Sequence, residues 1–104
     1  MKIDIERAEI VSVTRPKGKK SYYVVVPRKI ASLHRAKRYI LVECRVDGDR
    51  GSAVYRPSAV GEYILSRHGN SFRIRLPEEL AGIASRARRA LITYDEEKLV
   101  VSLN

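Results

Sequence analysis

The feature that most constrains this fold is a short pattern written twice. Setting Pro27 over Pro77 aligns Ser21-Tyr22-Tyr23-Val24-Val25-Val26-Pro27 with Ser71-Phe72-Arg73-Ile74-Arg75-Leu76-Pro77. The same alignment puts Ile30 over Leu80, Ala31 over Ala81 and Leu33 over Ile83. Gly18 and Gly69 mark a turn before each strand, and Tyr39 to Val42 parallels Ala90 to Ile92 beyond each helix. Identity is low, but the order of turn, strand, proline, short helix and hairpin recurs. A unit that recurs and cannot bury its own apolar face dictates the architecture of the whole chain.

Each unit reads as two strands, a helix and two strands. The first strand spans roughly Ile3 to Val13, its pattern interrupted from Glu6 to Glu9, and its counterpart runs from Val60 to Leu65. Pro27 and Pro77 stand where proline is tolerated, at a helix start. Ile30 and Leu33 recur at helical spacing and are expected to face a core, as are Leu80, Ile83, Ala84 and Ala87. Asp47-Gly48-Asp49-Arg50-Gly51 and Asp95-Glu96-Glu97-Lys98 read as hairpin turns. Four short strands and one small helix, about 50 residues, bury too little surface to stand alone. The 104 residues are therefore expected to form one pseudo-symmetric domain, mainly β with two short helices. Repeat one covers 1–57 and repeat two 58–104, with strands of each half completing the sheet of the other. Ser58 to Gly61 is then a junction and not a linker.

Charge narrows the partner. Lysine and arginine number 21 against 12 acids, a formal net charge of +9. No acid occurs from Ile10 to Val42, a window holding Arg15, Lys17, Lys19, Lys20, Arg28, Lys29, Arg35, Lys37 and Arg38. Such segregation points to a polyanionic partner rather than to general solubility. The single Cys44 excludes an intrachain disulfide and a thiolate cluster, and a reducing, cytoplasmic setting is expected. The N-terminal MKIDIERAEI is not a signal peptide, and no apolar run has the length of a membrane span. The absence of glutamine and the high charge content resemble the bias of heat-adapted proteins.

The repeat and its turns resemble the SpoVT–AbrB family, the swapped-hairpin DNA-binding proteins. Gly69-Asn70-Ser71 followed by Arg75-Leu76-Pro77 is similar to the glycine-asparagine-serine, then arginine-isoleucine-proline, pattern of MazE-type and VapB-type antitoxins. Glu78-Glu79-Leu80 continues as the family's helix start does. In the first copy Lys19-Lys20-Ser21 replaces the glycine-asparagine-serine, and Val25 stands where the motif arginine should be. The helix arginines of many transition-state regulators are replaced by Ala31-Ser32 and Ala81-Gly82. The family normally joins two units as a homodimer. The resemblance therefore implies a swapped-hairpin β-barrel made within one chain, and DNA as its partner.

Period-two alternation puts Phe72, Ile74 and Leu76 inward and Arg73 and Arg75 outward. The planar arginine fork suits phosphate oxygens or the guanine edge, and a strand holds two forks at fixed spacing. The turns, with Arg15, Lys17, Lys19, Lys20, Arg67, His68 and Asn70, are expected to follow a phosphate backbone. The bland alternative is a solvated face in which Arg73 and Arg75 pair with Glu78 or Glu79, or with cross-strand acids. Tyr23 and Val25 occupy the aligned outward places in copy one and are expected to be exposed, as an interface for self-association. The two histidines are too sparse for a metal site, Ser21 and Ser71 have no base at catalytic spacing, and no cofactor is implied. The expectation is a non-enzymatic, nucleoid-associated DNA-binding protein. The alternatives are an RNA- or ribosome-associated protein and an antitoxin-like or scaffold module.

Overall fold

The computed structural model describes residues 7–104. Among these residues nine strands form one antiparallel sheet: β1 Ala8–Thr14, β2 Tyr23–Val26, β3 Arg38–Asp47, β4 Arg50–Pro57, β5 Tyr63–Ile64, β6 Ser66–His68, β7 Ser71–Arg75, β8 Arg89–Tyr94 and β9 Leu99–Leu103. Helix α1 is Arg28–His34, and the 3-10 turn Glu78–Leu80 leads into α2, Ala81–Ala84. The chain is mainly β, with two short helices. Pro27 and Pro77 are the N-caps at the α1 and 3-10 starts, at φ −57° and −59°. Their rings are pre-set for these positions, which need no N–H.

The strands lie in the order β5-β3-β4-β9-β8-β1-β2-β7-β6. The two ends of that order, β5 and β6, are consecutive pieces of one segment separated only by Leu65. The sheet therefore nearly closes into a barrel. Strand β1 plays the equivalent part: Ala8 to Ser12 pair with β8, and Val13 and Thr14 pair with β2. At the two crossing points, Val13 N–H donates to Arg88 O at 3.0 Å and Leu65 N–H to Lys37 O at 2.9 Å. β1 of repeat one thus extends the β8–β9 hairpin of repeat two, and β5 of repeat two extends the β3–β4 hairpin of repeat one. Each half completes the other's sheet, as the repeat requires.

The core is the barrel interior. Val24, Val26, Ile30, Tyr39, Ala53, Tyr55, Ile74, Leu80, Ile92, Leu99 and Val101 are fully buried. Among the described residues no polar or charged residue is buried. Phe72 and Tyr22 are half-buried and pack on the edge of this core.

Several expectations need correction. Glu9 does not interrupt the first strand; it lies within β1, and Ile3 to Glu6 lie outside the described residues. Its counterpart begins at Tyr63, not Val60, which is 85% exposed. The cause is the turn at 58–61: Ser58 N–H donates to Arg38 O at 3.0 Å and Gly61 N–H to Ser58 O at 3.1 Å. Leu33 is 39% exposed, because the short α1 turns only Ile30 fully inward and ends at Arg35, with φ +50°. Val42 falls at a β-bulge between Leu41 and Glu43 and is exposed.

Candidate functional site

The two glycine turns precede β2 and β7, which run antiparallel and pair with each other. The turns consequently lie at opposite ends of this pair. Gly18 and Gly69 both have positive φ, +82° and +58°, which reverses the chain at little steric cost. Around Gly18, Arg15, Lys17, Lys19 and Lys20 are exposed, as are Arg67, His68 and Asn70 around Gly69. The loops are braced locally. Arg67 Nε donates to Gly69 O at 3.2 Å, Ser71 Oγ to His68 O at 3.3 Å, and Lys19 N–H to Pro16 O at 3.0 Å. The Arg15 guanidinium lies 5.6 Å from the centroid of the Tyr22 ring. None of the turn cations forms an ion pair with a described acid; the ion pairs Arg7–Glu96, Lys29–Glu9 and Arg45–Glu43 lie elsewhere among the described residues.

Arg73 and Arg75 are half-buried, less free than alternation alone suggests. β7 is flanked by β2 on one side and β6 on the other, so each long side chain lies against neighbours. The Arg75 guanidinium sits 4.5 Å from the Tyr63 ring centroid, and Tyr55 Oη donates to Arg75 O at 2.8 Å. Arg73 stands between Val25 and Ser66 in the two ladders, and its Nε is buried without a hydrogen-bond partner among the described residues. Neither arginine pairs with Glu78 or Glu79. An open cleft of about 260 Å³ brings Arg75 together with Lys20, Ser21 and Glu78.

Tyr23 and Val25 are half-buried rather than exposed, which corrects the expectation of a free patch. Tyr23 stands opposite Arg75 and Val25 opposite Arg73, so the arginines partly cover them. Val25 also packs against the core. The two sets therefore form one composite surface.

The remaining chemistry-bearing groups are quiet. Burial, then the Glu79 carboxylate, pushes the Cys44 thiol above its ordinary value, which disfavours the nucleophilic thiolate. Burial raises Tyr63 too, opposed by the nearby Arg75. His34 is held between Tyr39 Oη and Asp95 O, each at 2.7 Å. No group of His, Cys, Asp and Glu among the described residues could hold a metal ion. No helix among them is long and apolar enough to cross a membrane.

The sequence reading passed over one signal. Arg35-Ala36-Lys37-Arg38 and Arg86-Ala87-Arg88-Arg89 follow the two helices at equivalent points, and all six cations are exposed. Extending the repeat alignment across the helix ends exposes the recurrence. No family model, curated protein or solved structure matches this chain.

Proposed function

We propose that this chain is a non-enzymatic DNA-binding protein, a transcriptional regulator or chromatin-associated protein of the nucleoid. In this reading it is a single-chain form of the SpoVT–AbrB swapped-hairpin arrangement. The observation that carries it is the pair of exposed cationic turns at opposite ends of β2–β7, none of whose cations forms an ion pair with a described acid. A duplex offers a periodic row of phosphates, and displacement of its counterions makes such turns a source of affinity for any sequence. Arg73 and Arg75, held against their neighbours, supply the sequence or shape preference, because preoriented forks read base edges where mobile lysines do not.

Titration of duplex DNA at several salt concentrations tests the reading. The log–log slope of affinity against salt is expected at roughly −4 to −8. Co-purification from native cells with DNase or RNase identifies the polymer. Loss of the bound polymer with RNase alone moves the assignment to RNA. No binding at low salt leaves a protein–protein module as the better reading.

A further inference from the structure

We infer that the connections Arg35–Arg38 and Arg86–Arg89 are a second pair of phosphate contacts, each completing the basic turn of the opposite repeat. This inference rests on the nucleic-acid reading above and extends it to six cations that reading does not use.

The argument begins with position. The connections lie 51 residues apart, the same offset that relates Tyr39 to Ala90 at the start of β3 and β8. Their backbones are fixed at equivalent places: Lys37 O accepts from Leu65 N–H at 2.9 Å and Arg88 O from Val13 N–H at 3.0 Å. Arg38 lies opposite Ile64 and Arg89 opposite Ser12 in their ladders. Leu65 leads directly into β6 and the turn with Arg67 and His68, and Val13 leads into the turn from Arg15 to Lys20. The strand exchange thus places the connection of one repeat beside the root of the other repeat's turn. Two basic lobes result, one at each end of the β2–β7 pair.

Anchoring and exposure favour a ligand over a merely solvated surface. Ala36 and Ala87 are half-buried, while the three cations of each connection are exposed. None forms an ion pair with a described acid, although Lys29 and Arg45 elsewhere do so at 3.3 and 2.9 Å. The connection after α1 also lines an open groove of about 530 Å³, with Pro57, Ser58 and Ala59 opposite and no acid in its lining. Among the six, only Arg38 has a described side-chain hydrogen bond, from Nη1 to Gly61 O at 3.3 Å, so their side-chain donors stay open to phosphate oxygens.

Three glutamine triples separate the possibilities, each removing three charges at exposed positions: Arg35, Lys37 and Arg38; Arg86, Arg88 and Arg89; and Arg45, Arg50 and Arg56 on the β3–β4 hairpin. Each connection triple should cut the steepness of the DNA salt dependence by about 2–3, since two to three lost phosphate contacts each remove about 0.9 from the slope. Affinity should fall about tenfold or more at moderate salt, whereas the hairpin triple should lower it less than threefold. DNA should also protect Lys37 of the wild-type protein from acetylation as well as it protects Lys17. Connection triples no different from the hairpin triple, with Lys37 unprotected, would overturn the inference and leave DNA binding by the turns intact. Failure of the wild-type protein to bind DNA would remove the nucleic-acid reading itself, and this inference with it.

Discussion

Val24 stands directly opposite Ile74 in the β2–β7 ladder, and these two residues are each other's counterparts in the repeat. Moving 50 residues along the chain, the distance from Pro27 to Pro77, turns the neighbouring pair Tyr23–Arg75 into Arg73–Val25, which is also a pair of this ladder. Shifting the β1 residue by 52 and the β2 residue by 50 carries Thr14–Tyr23 onto Ser66–Arg73, which is also a pair, and Val13–Val24 toward Leu65–Ile74. A pseudo-two-fold axis therefore passes between Val24 and Ile74. Two copies of one unit are joined as a dimer would be, but within a single chain.

Neither half should fold alone. In fragment 1–57, β3 would lack β5 and β1 would lack β8; in fragment 58–104 the reverse losses occur. Circular dichroism and amide exchange should find each fragment without protected strands. Mixing the two should restore protection, because the missing partners are then supplied in trans.

Two glycines should respond in opposite directions to alanine. A Cβ on Gly61 would meet the backbone carbonyl of Tyr39, which cannot move without breaking the β3 start. Gly61→Ala is expected to destabilise by about 3 kcal/mol or more, at the top of the usual overpacking range. Gly82 is exposed in α2, with nothing within 4 Å of such a Cβ. Gly82→Ala should stabilise by about 0.5–1 kcal/mol through helix propensity. Thermal or denaturant unfolding of the two variants measures both signs.

His34 ties α1 to the β8–β9 turn of the other repeat, through the buried Tyr39 hydroxyl and Asp95 O. His34→Ala removes that partner from a hydroxyl inside the core and should cost about 1–3 kcal/mol. Adding Tyr39→Phe should cost little more, since the orphaned group has then gone. A double-mutant cycle by denaturant unfolding reads the coupling.

Alkaline pH should unfold the protein through its buried phenols. Tyr39, Tyr55 and Tyr63 meet edge-on, with centroids 6.5 and 5.3 Å apart along the series. Burial pushes Tyr39 up to about 12 and raises Tyr55 further. A folded-state value above the unfolded value near 10 means the stabilisation is complete below pH 10 and is lost as pH rises through the folded value. For Tyr39 this amounts to about 2–3 kcal/mol. Phenolate absorbance should therefore include a late stage well above pH 10 that coincides with loss of the β signal. A single stage finishing near pH 10 with the fold intact would contradict it.

Much of the fold is legible in the sequence because proline, glycine and apolar periodicity are local signals. Pro27 and Pro77 mark two helix starts, and Gly18 and Gly69 mark two turns, without any knowledge of long-range contacts. The failures are long-range. Val60 looks like strand, yet the close fit of Gly61 on Tyr39 turns the chain there instead. Arg73 and Arg75 alternate as surface residues should, but β6 and Tyr63 arrive from elsewhere to half-cover them. The connections after the helices were hidden for a related reason. Their significance comes from strand exchange, which sets them beside the opposite repeat's turn and leaves no local mark.

Arg75→Lys should separate charge from shape at the composite surface. The substitution keeps one positive charge beside Tyr63 but removes the planar fork that lies 4.5 Å from the ring. Stability should fall by about 0.5–1 kcal/mol through the weakened cation–π contact. The salt dependence of DNA binding should stay nearly unchanged, because the number of displaced counterions does not depend on the shape of the cation. Discrimination between sequences should decline, by about 1–3 kcal/mol where Arg75 makes a bidentate base contact. Replacing Lys17, Lys19 and Lys20 with glutamine should do the opposite, flattening the salt slope and weakening every sequence alike. Titrations of both variants against a panel of duplexes at two salt concentrations measure the division. Equal losses on every duplex from both variants would assign Arg75 to the phosphates as well, and sequence preference would then have to come from another part of the surface.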